Sequence, residues 1–366
     1  MKKKILIVSN VTAGIYLFRK ELISQLLREN DVTVLATDTG HREKLEALGC
    51  SVVVMDYSRH GVNPLTELGS VKKFRKMIQE QKPDVVLTYT IKPNIYAGMA
   101  CARLNIPYIE NITGLGPAVE NGGIIQKVTI PLYRFGMRKA QMVFFQNHEN
   151  LKFMLDHKMV KGKYSLLPGS GVNLSAYQPL EYPKGKTIDF VFISRIIKEK
   201  GIDQYLEAAA FIHAKYPETR FHVCGGCKDP DYLEKLKKLE DNGTIIYHGR
   251  VDDIPGMHAV SSCTIHPSYY PEGMSNVLLE SCACGRPIIT TDRPGCGEIV
   301  DDGVNGFVVK QKDSQDLIEK IERFLSLSWE EKKNMGLAGR AKVEREFDRQ
   351  IVIDSYLREI NQIKDL

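Results

Sequence analysis

The sequence has no apolar run approaching the roughly 20 residues that a membrane-spanning helix needs. Its Met1-Lys-Lys-Lys start is followed only by Ile5 to Val8 before the turn-like pair Ser9-Asn10. That run is too short for the core of a signal peptide and reads as a first β-strand. No GxGxxG follows the first strand of either half, which counts against a nicotinamide dehydrogenase. There is no low-complexity tract and no short-period repeat, so fibrous and solenoid architectures are excluded. Cys224-Gly-Gly-Cys227 and Cys282-Ala-Cys284 have no second CxxC to complete a zinc set, and the eight cysteines read as reduced, buried small residues. The expectation is a cytoplasmic protein, with a peripheral place on the membrane left open.

The charge is uneven. Residues 1–168 carry 24 Lys and Arg against 14 Asp and Glu, a net +10, and residues 169–366 carry 26 against 31, a net −5. A basic first half suits an anionic partner: a membrane surface, a lipid diphosphate or nucleic acid.

Apolar strand-like runs alternate with amphipathic helical stretches throughout. In the first half the strands are expected at residues 5–10, 31–37, 51–57, 84–90, 108–112, 141–146 and 164–167. After the breaker cluster Leu167-Pro-Gly-Ser-Gly-Val-Asn173 they resume at 189–193, 220–224, 244–247, 263–266, 287–291 and 306–309. Apolar strands separated by helices imply parallel sheets of βαβ units. The expected fold class is therefore α/β, with two doubly wound, Rossmann-like domains, residues 1–168 and 169–348, facing a cleft. The last helical stretch, within residues 349–366, has the option of packing back on the first domain.

Several loops at strand ends carry groups suited to chemistry. Asn10-Val-Thr-Ala-Gly14 reads as a small-residue loop opening a helix, fit to cradle a phosphate, to let an acceptor approach the backbone, or to be a plain tight turn. Arg195, just past the first strand of the second domain, and Lys200, five residues on and before Gly201, suit a diphosphate clamp; ordinary surface charge is the equal alternative. The loop with Gly249 and Val251 offers backbone groups to a base edge. Lys92 and Asn94 in one loop, and Thr113 and Gly114 in another, follow apolar strands and point to an acceptor. Residues 128–139 mix Ile130, Leu132, Tyr133 and Phe135 with Arg134, Arg138 and Lys139, which suits an anionic bilayer or a core-packed helix with a solvated basic side.

The stretch from His266 to Asp292 draws these together. It reads as strand, Pro/Gly-rich loop, helix from about Ser275 with Ser275 as N-cap, and strand. Glu272 ends the loop and Glu280 lies eight residues on, inside the helix. A helix start is an anion site, and flanking carboxylates accept hydroxyls, which together suggest a nucleotide sugar.

These residues resemble the retaining glycosyltransferases of family 4, which have the GT-B fold. The resemblance spans the chain and is most specific at Glu272-Gly-Met-Ser-Asn-Val-Leu-Leu-Glu280, the E-x7-E motif. Ser281 to Asp292, Gly295 to Gly306, Arg195 and Lys200-Gly201 continue it. Tyr89 to Tyr96 and Ile112 to Gly116 resemble a bacterial branch that builds capsule, O-antigen or protein-linked glycans on undecaprenyl diphosphate, including transferases of N-acetylgalactosamine to lipid-linked bacillosamine. The resemblance implies a UDP-sugar donor, a polyprenyl-diphosphate-linked saccharide acceptor, and work at the inner face of the cytoplasmic membrane. It implies no metal, no cofactor and no nucleic-acid partner. It implies that Arg195 and Lys200 neutralise the leaving diphosphate, that amides around Gly273, Met274, Ser275 and Asn276 assist, and that Glu272 binds donor-sugar hydroxyls and Glu280 ribose hydroxyls. Thr113 stands where many members have a histidine that contacts the donor sugar. A sugar-nucleotide 2-epimerase and a non-catalytic nucleotide-sugar-binding module are the alternatives: the first lacks a convincing acid/base pair, and the second leaves Arg195, Lys200, Glu272 and Glu280 unexplained.

Overall fold

The computed structural model describes residues 2–57, 64–116, 119 and 122–363, with residues 64–68 and 124 described in backbone only. The chain divides into two compact units. The first comprises Met1–Ser170, the three residues Glu272–Met274, and Gln350–Leu366; the second comprises Gly171–Pro271 and Ser275–Arg349.

Seven parallel strands form the sheet of the first unit: β1 (Lys4–Val11), β2 (Asp31–Thr37), β3 (Ser51–Val54), β4 (Val85–Tyr89), β5 (Tyr108–Ile112), β6 (Met142–Phe145) and β7 (Tyr164–Leu166). Their order is β3-β2-β1-β4-β5-β6-β7. Strands buried on both faces need apolar residues at successive positions, as Ile5-Leu6-Ile7-Val8 supplies in β1. One face packs Leu6, Val8 and Val86 against Phe74, Ile95, Cys101 and Tyr133. The other packs Ile5, Ile7, Val34 and Leu87 against Ile15, Leu22 and the terminal helix Arg349–Gln362, through Val352, Ile353, Tyr356 and Ile360.

The sheet of the second unit has six parallel strands: β8 (Ile188–Ile193), β9 (Thr219–Cys224), β10 (Ile246–Gly249), β11 (Cys263–His266), β12 (Ile288–Thr291) and β13 (Gly306–Val309). The order is β10-β9-β8-β11-β12-β13. Phe190, Phe192, Phe221 and Ile265 on one face meet Tyr205, Ile212, Leu317 and Phe324 of the covering helices. The doubly wound α/β class expected from the alternation is the fold observed.

Two local expectations are corrected. The loop expected at Asn10–Gly14 does not exist: β1 runs to Val11 and the helix Thr12–Leu26 starts at the next residue. Thr12 ties this junction to the turn after β2, its hydroxyl donating to Asp38 Oδ1 at 3.0 Å and accepting from the Thr39 amide at 2.9 Å. The strand expected at 244–247 is shifted to Ile246–Gly249, because the amides of Thr244 and Ile245 bond back to Leu239 O in the preceding helix.

Candidate functional site

In a doubly wound sheet, ligands bind outside the carboxyl ends of the strands where the order reverses. In the second unit that point lies between β8 and β11, which pair directly although two strands separate them in sequence. The loops that leave these two strands carry the predicted cations and the approach to the E-x7-E helix. The two loops are locked together. Lys198–Lys200 forms one 3-10 turn, closed by Gly201 at φ +77. A Cβ at Gly201 would stand 2.1 Å from Pro267 O, so only glycine permits both the left-handed conformation and the close approach. The Tyr269 amide donates to Glu199 O at 2.9 Å.

Both cations then converge on one ring. The Arg195 guanidinium lies 5.3 Å and Lys200 Nζ 4.9 Å from the centroid of Tyr270, with Lys200 buried and Arg195 exposed. Both distances fall within the range of a cation–π contact. Tyr270 carries no sequence signal beyond lying in a breaker-rich loop, and the sequence reading missed it.

The helix Asn276–Ala283 begins at Ser275, but Ser275 makes no side-chain cap. Its amide donates to Gly295 O at 2.7 Å, so that amide is already engaged within the protein. The expected capping hydroxyl is instead a buried orphan: Ser275 Oγ and Asn276 Oδ1 have no hydrogen-bond partner. Unpaired buried polar atoms at a helix start are uncommon, and a ligand is one way to satisfy them.

Glu280 lies one turn further on. Burial raises its pKa to about 7, opposed by a hydrogen bond from Tyr177 and by the charge of Arg349. Arg349 is itself held by Gly171 O, at 3.0 Å from Nη2. Gly249 ends β10 at φ +61, its carbonyl accepting the Gly225 amide at 2.7 Å, and Val251 is half-buried just beyond. The cysteines are all free, and burial pushes Cys224 and Cys282 up to about 12, which leaves these thiols inert.

In the first unit the order reverses between β1 and β4. Gly14 lies in the first turn of the helix after β1. Thr90, after β4, is held at φ +73, a conformation that costs a non-glycine residue about 1–3 kcal/mol. Lys92 and Asn94 follow it in the helix Ile91–Leu104. Lys92 is half-buried, whereas Asn94 is turned inward: it accepts from Thr88 Oγ1 at 2.7 Å and donates to Asn111 O at 2.9 Å. Asn111 donates to Tyr356 OH at 2.8 Å and accepts from Gln146 at 3.1 Å. Asn94 therefore braces strand ends, and Thr113 and Gly114, half-buried after β5, are the loop groups those strands present.

Glu272–Met274, counted with this unit, rests on the end of β6. Asn147 Nδ2 donates to Glu272 O and Gly273 O, each at 2.9 Å, while its Oδ1 caps the next helix by accepting from the Asn150 amide. A Cβ at Gly273 would come within 2.3 Å of Gln146 Oε1 and 2.6 Å of Thr113 O, so the motif's glycine is sterically required. Sequence gave no hint of Asn147.

The helix Gly123–Met137 shows an unusual outer face. Ile125, Val128 and Phe135 are 44%, 55% and 57% exposed, with Pro131 exposed between them. Lys127, Arg134 and Arg138 are exposed on the adjoining face, and Tyr133 faces the core. Among the described residues no helix is long and apolar enough to cross a membrane. A cavity of about 600 Å3 opens at the amino ends of β1 to β3, lined by Lys2, Lys4, Asn30 and Gly49, at the opposite edge from these strand-end loops.

Comparison with known proteins agrees with this architecture. Residues 180–342 match the family model "Glycosyl transferases group 1" and residues 4–147 match "Glycosyl transferase 4-like". The chain is 28% identical over 372 residues to the N,N'-diacetylbacillosaminyl-diphospho-undecaprenol alpha-1,3-N-acetylgalactosaminyltransferase of Campylobacter jejuni, with 96% of each chain covered. It is 23% identical to the capsular polysaccharide biosynthesis glycosyltransferase CapM of Staphylococcus aureus, covering 96% of this chain and 94% of CapM. Among solved structures, Anabaena Alr3699/HepE in complex with UDP superposes with a TM-score of 0.80 at 19% identity, covering 98% of this chain and 99% of the other. At that identity the likeness is one of fold.

Proposed function

We propose that this chain, which belongs to the glycosyltransferases, moves a sugar from a UDP-sugar to a polyprenyl-diphosphate-linked saccharide with retention of anomeric configuration. The observation that carries the donor half of this reading is the pair Arg195 and Lys200 on one ring at the switch point of the second sheet. Breaking the bond from the sugar to the diphosphate puts negative charge on the leaving oxygen. Two preorganised cations stabilise that charge more in the transition state than in the ground state. Arg195 offers a planar fork to two phosphate oxygens, and Lys200 a compact charge. With both in place, the proposed reaction needs no metal ion.

Ser275 Oγ and Asn276 Oδ1 would gain partners from the bound donor. The Glu280 carboxylate accepts from ribose hydroxyls, and Glu272 from hydroxyls of the donor sugar. The acceptor hydroxyl attacks from the face the leaving group departs, and the leaving phosphate takes its proton, so no side-chain base is required. The anomeric C–O bond to phosphate breaks as the new C–O bond forms on the same face.

The lipid-linked acceptor is supported by the activity named for the Campylobacter jejuni relative. It fits the basic first half and the mixed apolar and basic face of the helix Gly123–Met137, which we read as resting on the anionic inner face of the cytoplasmic membrane. A panel of UDP- and GDP-sugars tested against lipid-linked acceptors, with nucleoside diphosphate release as readout, tests the reading. Release with a UDP-sugar only when acceptor is present supports it; release without acceptor points to a 2-epimerase instead.

A further inference from the structure

We propose that Tyr270 is a positioning residue whose ring face holds Arg195 and Lys200 as a pair before any donor arrives. This rests on the reading that those two cations take the diphosphate. An exposed arginine has many rotamers of similar energy, and the loss of that freedom weakens binding. The negative face of an aromatic ring limits that freedom, attracting each cation by about 0.5–1 kcal/mol at exposed sites and about 2 kcal/mol when desolvated.

The geometry fits that role. Tyr270 lies 5.3 Å from the Arg195 guanidinium and 4.9 Å from Lys200 Nζ. Its own place is set by backbone: the Tyr270 amide donates to Ser268 Oγ at 3.2 Å and the Tyr269 amide to Glu199 O at 2.9 Å, while Gly201 packs against Pro267 O. The backbone that carries the ring is therefore tied down in the loop after β11, and the cations come to the ring from the loop after β8. The neighbouring Tyr269 does different work, receiving Lys312 at 4.9 Å.

The ring face, rather than the hydroxyl, is what this assigns, and the test separates them. UDP and uridine affinities are measured by calorimetry for wild type, Tyr270→Phe, Tyr270→Leu and Lys200→Ala. A series with phenylalanine of increasing ring fluorination at position 270 keeps the shape while draining the ring face of negative charge. Expected are UDP binding within about twofold of wild type for Tyr270→Phe, and about tenfold weaker for Tyr270→Leu, as loss of about 1.4 kcal/mol of cation–π attraction gives. UDP affinity should fall stepwise with fluorination, and uridine affinity should stay constant throughout. A fluorinated series with flat UDP affinity, or Tyr270→Phe as weak as Tyr270→Leu, overturns the proposal whether or not Tyr270→Leu folds. Lys200→Ala binding UDP like wild type would instead overturn the diphosphate reading beneath it.

Discussion

Glu280 and Tyr177 form a pair in which the phenol donates to a carboxylate that burial has raised to about 7. An ionised carboxylate accepts from ribose hydroxyls more strongly than a protonated carboxyl, so nucleoside binding should weaken as pH falls through that value. Uridine is the suitable probe, since it has no phosphate to titrate in this range. Its dissociation constant is expected to rise between pH 8 and pH 6, by at most about tenfold per pH unit below the midpoint. Glu280→Gln should flatten the profile, and Tyr177→Phe, which removes the opposing hydrogen bond, should move the midpoint upward.

The same shift has a stability consequence. The folded-state pKa of Glu280 lies above the unfolded value, so the folded chain binds the proton more tightly and stability falls as pH rises from about 4.5 through about 7. Glu280→Gln mimics the protonated form. Its melting temperature should exceed that of wild type at pH 8, with the gain disappearing near pH 4.5.

Removal of either cation should cost transfer far more than folding. By analogy with loss of one preorganised donor to a developing anion, Lys200→Ala and Arg195→Ala should each lower kcat by about 10²–10³-fold. Arg195→Lys should recover only part of this, because it restores the charge but not the fork. Glu272→Ala should lose donor-sugar turnover while retaining UDP binding. Steady-state UDP release checks all four, and full activity in any alanine variant would remove that residue from its proposed role.

The helix Gly123–Met137 can be tested by flotation with vesicles rich in phosphatidylglycerol. Charge reversal at Arg134, Arg138 and Lys139 should reduce the bound fraction, and Phe135→Ser should reduce it at a salt concentration where the charges are screened. Unchanged flotation would make the helix an ordinary solvated face.

Tyr356 ties the terminal helix to the first sheet, packing at a tilt against Phe144 with ring centroids 4.8 Å apart and accepting from the Asn111 side-chain amide. Tyr356→Ala should destabilise the protein by about 3–5 kcal/mol in chemical denaturation. Tyr356→Phe, which keeps the packing and leaves one amide short of a partner, should cost about 1–3 kcal/mol.

Much of this architecture was readable because buried parallel strands leave apolar runs and helices between them leave a 3.6-residue pattern. The runs at Asp31–Thr37, Tyr108–Ile112 and Gly306–Val309 match their strands end to end. What a one-dimensional pattern cannot carry is which strand ends meet. Tyr270 reaches Arg195 and Lys200 only because β11 crosses over to pair with β8, and Asn111 finds Tyr356 across 245 residues of chain. Asn94 misled for a related reason. A polar residue after an apolar strand reads as a cleft group, yet here Thr88 and Asn111 supply partners that make it an internal brace. Ser275 had the residue type of an N-cap, but its hydroxyl makes no capping bond.

The most direct measurement is the anomeric configuration of the product, read by proton NMR after reaction of a UDP-sugar with a polyprenyl-diphosphate-linked saccharide. The proposed mechanism predicts an α-linked product from an α-configured donor, with one UDP released per sugar transferred and no loss of rate in EDTA. A β-linked product, or UDP released at the same rate without acceptor, would contradict it.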